Sequence, residues 1–151
     1  MGANKKITIE NHEIEQKLDQ TCISSKDSIK SVYLTVFSSS HQFIPVVDNG
    51  ELTGALDIQK VKKLKANQLA NISVRTLKED PRHIALCTTK LDTLKNEMEK
   101  KQIEQVFIID KNFQFKGSFN LAINKNYPEV SKTKVTVFDR LFNMSLQEVK
   151  I

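Results

Sequence analysis

The feature that most limits what this chain can fold into is an internal repeat with a period of about 62 residues. In the first half, Phe43-Ile44-Pro45-Val46-Val47-Asp48 leads through Asn49-Gly50 to Glu51-Leu52-Thr53-Gly54-Ala55-Leu56. In the second half, Val106-Phe107-Ile108-Ile109-Asp110 leads through Lys111-Asn112 to Phe113-Gln114-Phe115-Lys116-Gly117-Ser118-Phe119. Each copy is an apolar strand, a turn, and a second strand carrying a glycine. Asn49-Gly50 is a strong hairpin signal, because both residue types accept the positive φ that a type I′ turn demands. The loop at Lys111-Asn112 is expected to be slightly longer, with Asn112 taking the left-handed conformation.

Upstream of the first hairpin, Ile29, Val32, Tyr33, Val36 and Phe37 recur at helical spacing and form one apolar face. Leu91, Leu94 and Met98 repeat that pattern upstream of the second. Short segments before each helix, Cys22-Ile23-Ser24-Ser25 and Cys87-Thr88-Thr89, suit a brief strand followed by a helix cap. Counted back from Ile29 and Leu94, Cys22 and Cys87 share one offset, which predicts that they are equivalent, small buried hydrophobes. After each second strand the chain turns into another helix, with Asp57 and Asn120 at the positions of N-caps ahead of Ile58, Val61, Leu64 and of Leu121, Ile123.

The unit is therefore strand, helix, strand, strand, helix, and the fold class α+β. One copy of about 60 residues would bury only about 60% of its unfolded surface. Two copies packed sheet to sheet with pseudo-twofold symmetry resolve that shortage. The expected division is repeat 1 at residues 14–66, a connector at 67–80 with a short helix near Val74 to Leu77, repeat 2 at 81–126, and an extension at 127–151. Val135, Val137, Phe138, Leu141 and Phe142 make that extension apolar enough to pack.

The net charge of +5 favours anionic partners without choosing among them. In the densest basic stretch, Val61 and Leu64 interrupt Lys60, Lys62, Lys63 and Lys65 at helical spacing, the pattern of a solvated helix face. Nucleic acid is a poor fit: Arg75, Arg82 and Arg140 are scattered and no aromatic platform accompanies them. No apolar run approaches the roughly 20 residues that span a bilayer. The N-terminus lacks the apolar core of a secretory signal, and Lys6 stands where a myristoylation motif needs Ser or Thr. Two cysteines without histidine neighbours make neither a disulfide framework nor a zinc site, so a reducing, cytoplasmic setting is expected.

Catalytic chemistry finds no footing. Four glycines make no phosphate-binding loop, and His12, His41 and His83 are isolated in sequence. Ser38-Ser39-Ser40, between a helix and a strand, reads as turn residues. A non-enzyme needing no cofactor or metal is expected.

The double pattern Ile44-Pro45-Val46-Val47-Asp48 with Gly54, and Phe107-Ile108-Ile109-Asp110 with Gly117, each after an amphipathic helix, resembles the tandem CBS domain pair, or Bateman module. The resemblance covers roughly Ile14 to Asn124, and Phe107 stands where the family has proline. It implies two clefts between the repeats, a role as a regulatory domain of a larger polypeptide, a homodimer, and adenosine-containing regulatory ligands such as AMP, ADP, ATP or S-adenosylmethionine. The ligand-binding positions it implies are Ser24, Ile44, Pro45, Gly54, Asp57, Lys60, Thr88, Phe107, Gly117 and Asn120. This chain departs from the family where the ribose is held: third and sixth after the glycine stand Asp57 and Lys60 in one copy, Asn120 and Ile123 in the other. A pair without ligand, serving as a dimerisation or docking scaffold, is the alternative. The run Ser38 to Asp48 also resembles the first CBS repeat in the cytoplasmic region of bacterial ClC-type chloride channels or transporters, which implies a cytosolic module modulating a fused transporter, channel or enzyme.

Overall fold

The structure, a computed structural model, describes residues 7–121. The expectations at Ile123 and for the extension at 127–151 lie outside these residues. Residues 7–94 with Gln105–Phe119 form one compact unit, and Lys95–Glu104 with Asn120 and Leu121 belong to a second.

The first hairpin pairs β1 (Phe43–Asp48) with β2 (Glu51–Asp57) in antiparallel register, Val46 opposite Gly54. Asn49 and Gly50 have φ of 55° and 81°, the two left-handed residues of a type I′ turn. The second hairpin joins β4 (Gln105–Ile109) to β5 (Phe115–Asn120), and β3 (Ile84–Leu86) adds a parallel edge in the order β3-β4-β5. Here the expectation of a left-handed Asn112 is corrected: the residue at positive φ is Phe113, at 64°. Asp110 explains the shift, because its carboxylate accepts the amides of Asn112 and Gln114 while its carbonyl accepts that of Phe113. The loop is thus a type I turn followed by one left-handed residue, and chain position, not residue preference, puts Phe113 there.

Ile23 bridges Val46 in parallel, as Ala85 does Ile108, so the two copies superpose at an offset of 62. By that register Cys87 matches Ser25, not Cys22, and Cys22 is exposed where Cys87 is buried. The predicted equivalence of the cysteines, and Cys22 as a core residue, are therefore corrected. Counting from helices misplaced it because the two helices begin differently. In the first copy the turns at 28–33 close with i→i+3 bonds, and α2 proper is Tyr33–Ser38. Ile29 and Lys30 give their amides to Ile72 and Leu69 instead; of the expected apolar face Ile29, Val32 and Val36 are buried, whereas Tyr33 and Phe37 are exposed and pack ring to ring. In the second copy α6 runs without interruption over Leu91–Lys101 with Leu94 and Met98 buried.

The helix α3 (Ile58–Lys62) begins as its sequence requires, the Asp57 side chain accepting the amide of Gln59 at 2.9 Å. Ile58 and Val61 then join Ile23, Ile29, Val36, Ile44, Val46 and Leu56 in the larger core. The helices α4 (Ala66–Leu69) and α5 (Val74–Leu77) follow, the latter where the sequence places it and the former unforeseen. Leu52, Ala55, Phe107 and Ile109 make a smaller apolar cluster that joins the two hairpins. Phe107, at the family's proline position, packs edge-on against Phe115 in that cluster.

What no local pattern announced is an exchange of lead-in segments. The stretch before repeat 1, which carries α1 (His12–Glu15), bonds to repeat 2: Thr8 bridges Lys90, and Asp19 bridges Ser118. The stretch before repeat 2 bonds to repeat 1: Ser73 bridges Ser28, and Glu79 bridges Ala55. The buried Ile9 and Val74 anchor the two arms at matching places, donating to Thr89 and Asp27. The repeat glycines admit the arms: a Cβ on Gly117 would lie 2.5 Å from the Leu18 Cβ, and one on Gly54 would lie 3.1 Å from the Glu79 carbonyl. In the second unit, Ile103 donates to Met98 and Leu121 to Glu104.

Candidate functional site

The first exchange junction builds a cavity of about 360 Å³. Asp19 is pinned by two backbone bonds to Ser118, of 3.0 and 2.8 Å, and its carboxylate accepts the Thr21 amide at 2.9 Å. The remaining carboxylate oxygen faces His41 Nε2 at 3.6 Å. Opposite lie the end of α2 and the loop to β1, where Thr35, Ser38, Ser39 and Ser40 offer hydroxyls. Two of those hydroxyls have structural bonds: Ser39 accepts the His41 amide, and Ser38 donates to the Thr35 carbonyl. The beginning of β1, Phe43 to Pro45, closes another wall.

Gln105 ties that wall to the second repeat. Its side-chain amide donates to the Phe43 carbonyl at 2.9 Å and accepts the Phe43 N–H at 3.3 Å, so the residue matching Phe43 at the 62-residue offset holds Phe43 by both backbone groups. Burial lowers the pKa of His41, and Asp19 raises it by less, so the imidazole is neutral at pH 7. The site presents neutral donors and acceptors around one carboxylate.

Of the residues singled out from sequence, Ile44 and Pro45 line this cavity. The others lie elsewhere. Ser24 donates to Asp48 at 2.8 Å, and with the Ser25 amide and Thr53 hydroxyl it forms a cradle for that carboxylate. Burial pushes the Asp48 carboxyl up, but the bonds from Thr53, Ser24 and Ser25 outweigh it and hold the group well below the usual carboxylate range. Asp57 caps α3, and Lys60 forms an ion pair with Glu79 at 2.6 Å. Gly54 and Gly117 admit the exchanged arms, Thr88 is exposed, Phe107 is in the hairpin cluster, and Asn120 is buried at the end of β5.

Asp19, Thr21, Gln105 and Ser118 were missed. Only the offset of 62 between Phe43 and Gln105 hinted at one of them. Ser38-Ser39-Ser40 are turn residues, as expected, and they also wall the cavity. No group of three or more His, Cys, Asp or Glu among the described residues is placed to hold a metal ion. No described helix is long and apolar enough to cross a membrane.

No protein-family model and no curated protein sequence matches this chain. Solved structures do. The CBS domain of a bacterial CNNM/CorC-family Mg2+ transporter in complex with ATP aligns with a TM-score of 0.55 at 11% identity, over 71% of this chain and 75% of that one. CBSX2 in complex with AMP aligns with a TM-score of 0.58 at 12% identity, over 77% and 91%. Staphylococcus aureus OpuCA aligns with a TM-score of 0.58 at 18% identity, over 74% and 96%. At these identities the likeness establishes the fold, which is that of CBS-domain proteins, α+β.

Proposed function

We propose that this chain is a non-catalytic regulatory CBS pair that binds a small adenine-containing ligand in the cavity at the Asp19–Ser118 junction. The observation that supports this most is the cavity itself, about 360 Å³, at the lower end of the ~300–1,000 Å³ range of ligand pockets. Its walls come from both repeats, tied at the cavity by the Asp19–Ser118 backbone bonds and the Gln105 clamp. A ligand bridging them would alter how the repeats pack and pass that change to a fused partner. The structural neighbours include domains solved with ATP and with AMP, which supports an adenine ligand. One of them belongs to an Mg2+ transporter, which supports a membrane transport protein as the fused partner; a ClC-type channel and an enzyme are the alternatives that the sequence resemblance implies. In that setting the module would lie on the cytoplasmic side and pair as a homodimer.

Thermal-shift measurement with adenosine, AMP, ADP, ATP and S-adenosylmethionine tests the proposal. A ligand at a hundred times its Kd should stabilise the fold by about 2.7 kcal/mol. Ser40→Trp, which places a large ring in the cavity wall at an exposed position, should abolish the shift while leaving the unliganded melting temperature in place.

A scaffold without ligand is the second reading, favoured by one observation. Asp57 and Lys60, at the positions where the family holds its ligand, are already occupied by a helix cap and an ion pair. Absence of any shift with all five compounds decides for it.

A further inference from the structure

We propose that the cavity selects an uncharged adenine nucleoside over its phosphorylated forms, with Asp19 as the residue that sets the preference. This rests on the proposal that the cavity is the ligand site. The carboxylate of Asp19 is the one charge among the described cavity-lining residues at neutral pH, and it is negative. Among the described residues, neither lysine nor arginine lines the site. Arg82, whose guanidinium stands 4.9 Å from the centre of the Phe43 ring in the wall, is shared with Glu79 at 3.4 Å. Lys60, a ligand-binding position that the resemblance implies, is bound to the same Glu79.

A phosphate entering the cavity would lose part of its solvation shell without gaining a countercharge from the described lining residues, and would meet a fixed anion. Partial desolvation of a charge beside a like charge is unfavourable unless it is paired. A nucleoside has no such obstacle. Its ribose hydroxyls can donate to the Asp19 carboxylate, whose Oδ2 is 3.6 Å from neutral His41 and whose Oδ1 is held by Thr21. Hydroxyls of Thr35, Ser38 and Ser40 supply further neutral partners. Asp19 is positioned for this by its backbone, which the two Ser118 bonds fix whatever its side chain.

Isothermal titration of the full chain with adenosine, AMP and ATP varies charge on one scaffold. Affinity should fall from adenosine to AMP to ATP, by about tenfold or more at the first step. Asp19→Asn keeps an oxygen for the Thr21 amide and removes the charge, so adenosine should weaken while the step from adenosine to AMP shrinks about tenfold. AMP or ATP binding as tightly as adenosine overturns the selectivity and leaves the ligand site standing. An unchanged step in Asp19→Asn overturns the role of Asp19. Failure of all three compounds to bind, confirmed by absent thermal shifts, overturns the ligand site and the selectivity with it.

Discussion

The two exchange junctions share a backbone and differ in chemistry. At one, Asp19 and Ser118 trade N–H and C=O bonds across the repeats; at the other, Glu79 and Ala55 do the same. Yet Asp19 stands beside a largely buried, neutral histidine in the lining of a cavity, whereas Glu79 is bonded by Lys60 and Arg82, both more than half exposed. Backbone pairing is indifferent to side chains, so the duplicated framework can be kept while each junction diverges. The first became a polar recess, and the second closed into a small ion network.

The sharpest way to break the comparison is through the glycines. Gly117 sits at a φ of 138° with Leu18 against its missing Cβ, whereas Gly54 has no positive φ and meets the flexible end of Lys78 besides the Glu79 carbonyl. Gly117→Ala should cost about 3 kcal/mol in urea unfolding, combining backbone strain with overpacking, and Gly54→Ala clearly less. Equal losses would mean that the two arms enter alike.

Next in size is the Gln105 clamp. Gln105→Leu leaves the Phe43 N–H and carbonyl without their partner, which should destabilise the fold by about 1–3 kcal/mol. It should also weaken any ligand held against Phe43, a loss readable by titration.

The histidine separates the junctions by pH. His41 prefers the neutral form in the folded state, so the unfolded chain binds its proton more readily. Stability should therefore decline as pH falls through the ordinary histidine value of 6.5. His41→Gln should flatten that part of a plot of unfolding free energy between pH 7.5 and 5. A slope unchanged by the substitution would falsify the assignment.

The smallest effect belongs to the second junction. The hydrogen bond from Lys60, opposed by burial and helped by the charges of Lys60 and Arg82, holds the Glu79 carboxyl below its usual range. Its contribution is present above the ordinary glutamate pKa and is lost as pH falls through the lowered value. Lys60 and Arg82 are largely in solvent, so Glu79→Gln should cost less than about 1 kcal/mol, and less still in high salt.

Much of the fold was legible because its cues are local. Asn49-Gly50 dictates a turn through φ alone, Asp57 caps a helix by accepting an amide two residues away, and Ile29, Val32 and Val36 stay buried even where the first turns are not α-helical. Phe113 shows where such cues fail. An Asp side chain three residues earlier shaped the loop and placed an aromatic in the left-handed region over the head of Asn112. The candidate site was legible only at Ile44 and Pro45, because a resemblance transfers positions and not the partners that occupy them.

The sequence by itself determined the duplication, the hairpins and the α+β class, since alternation, turn chemistry and capping act over a few residues. Tertiary structure alone decided which arm lies on which repeat, and hence where Asp19 meets His41. Those choices are made by backbone amides and carbonyls roughly 80 to 100 residues apart, Asp19 to Ser118 and Thr8 to Lys90, and such groups are the same in every residue and leave no trace in the letters.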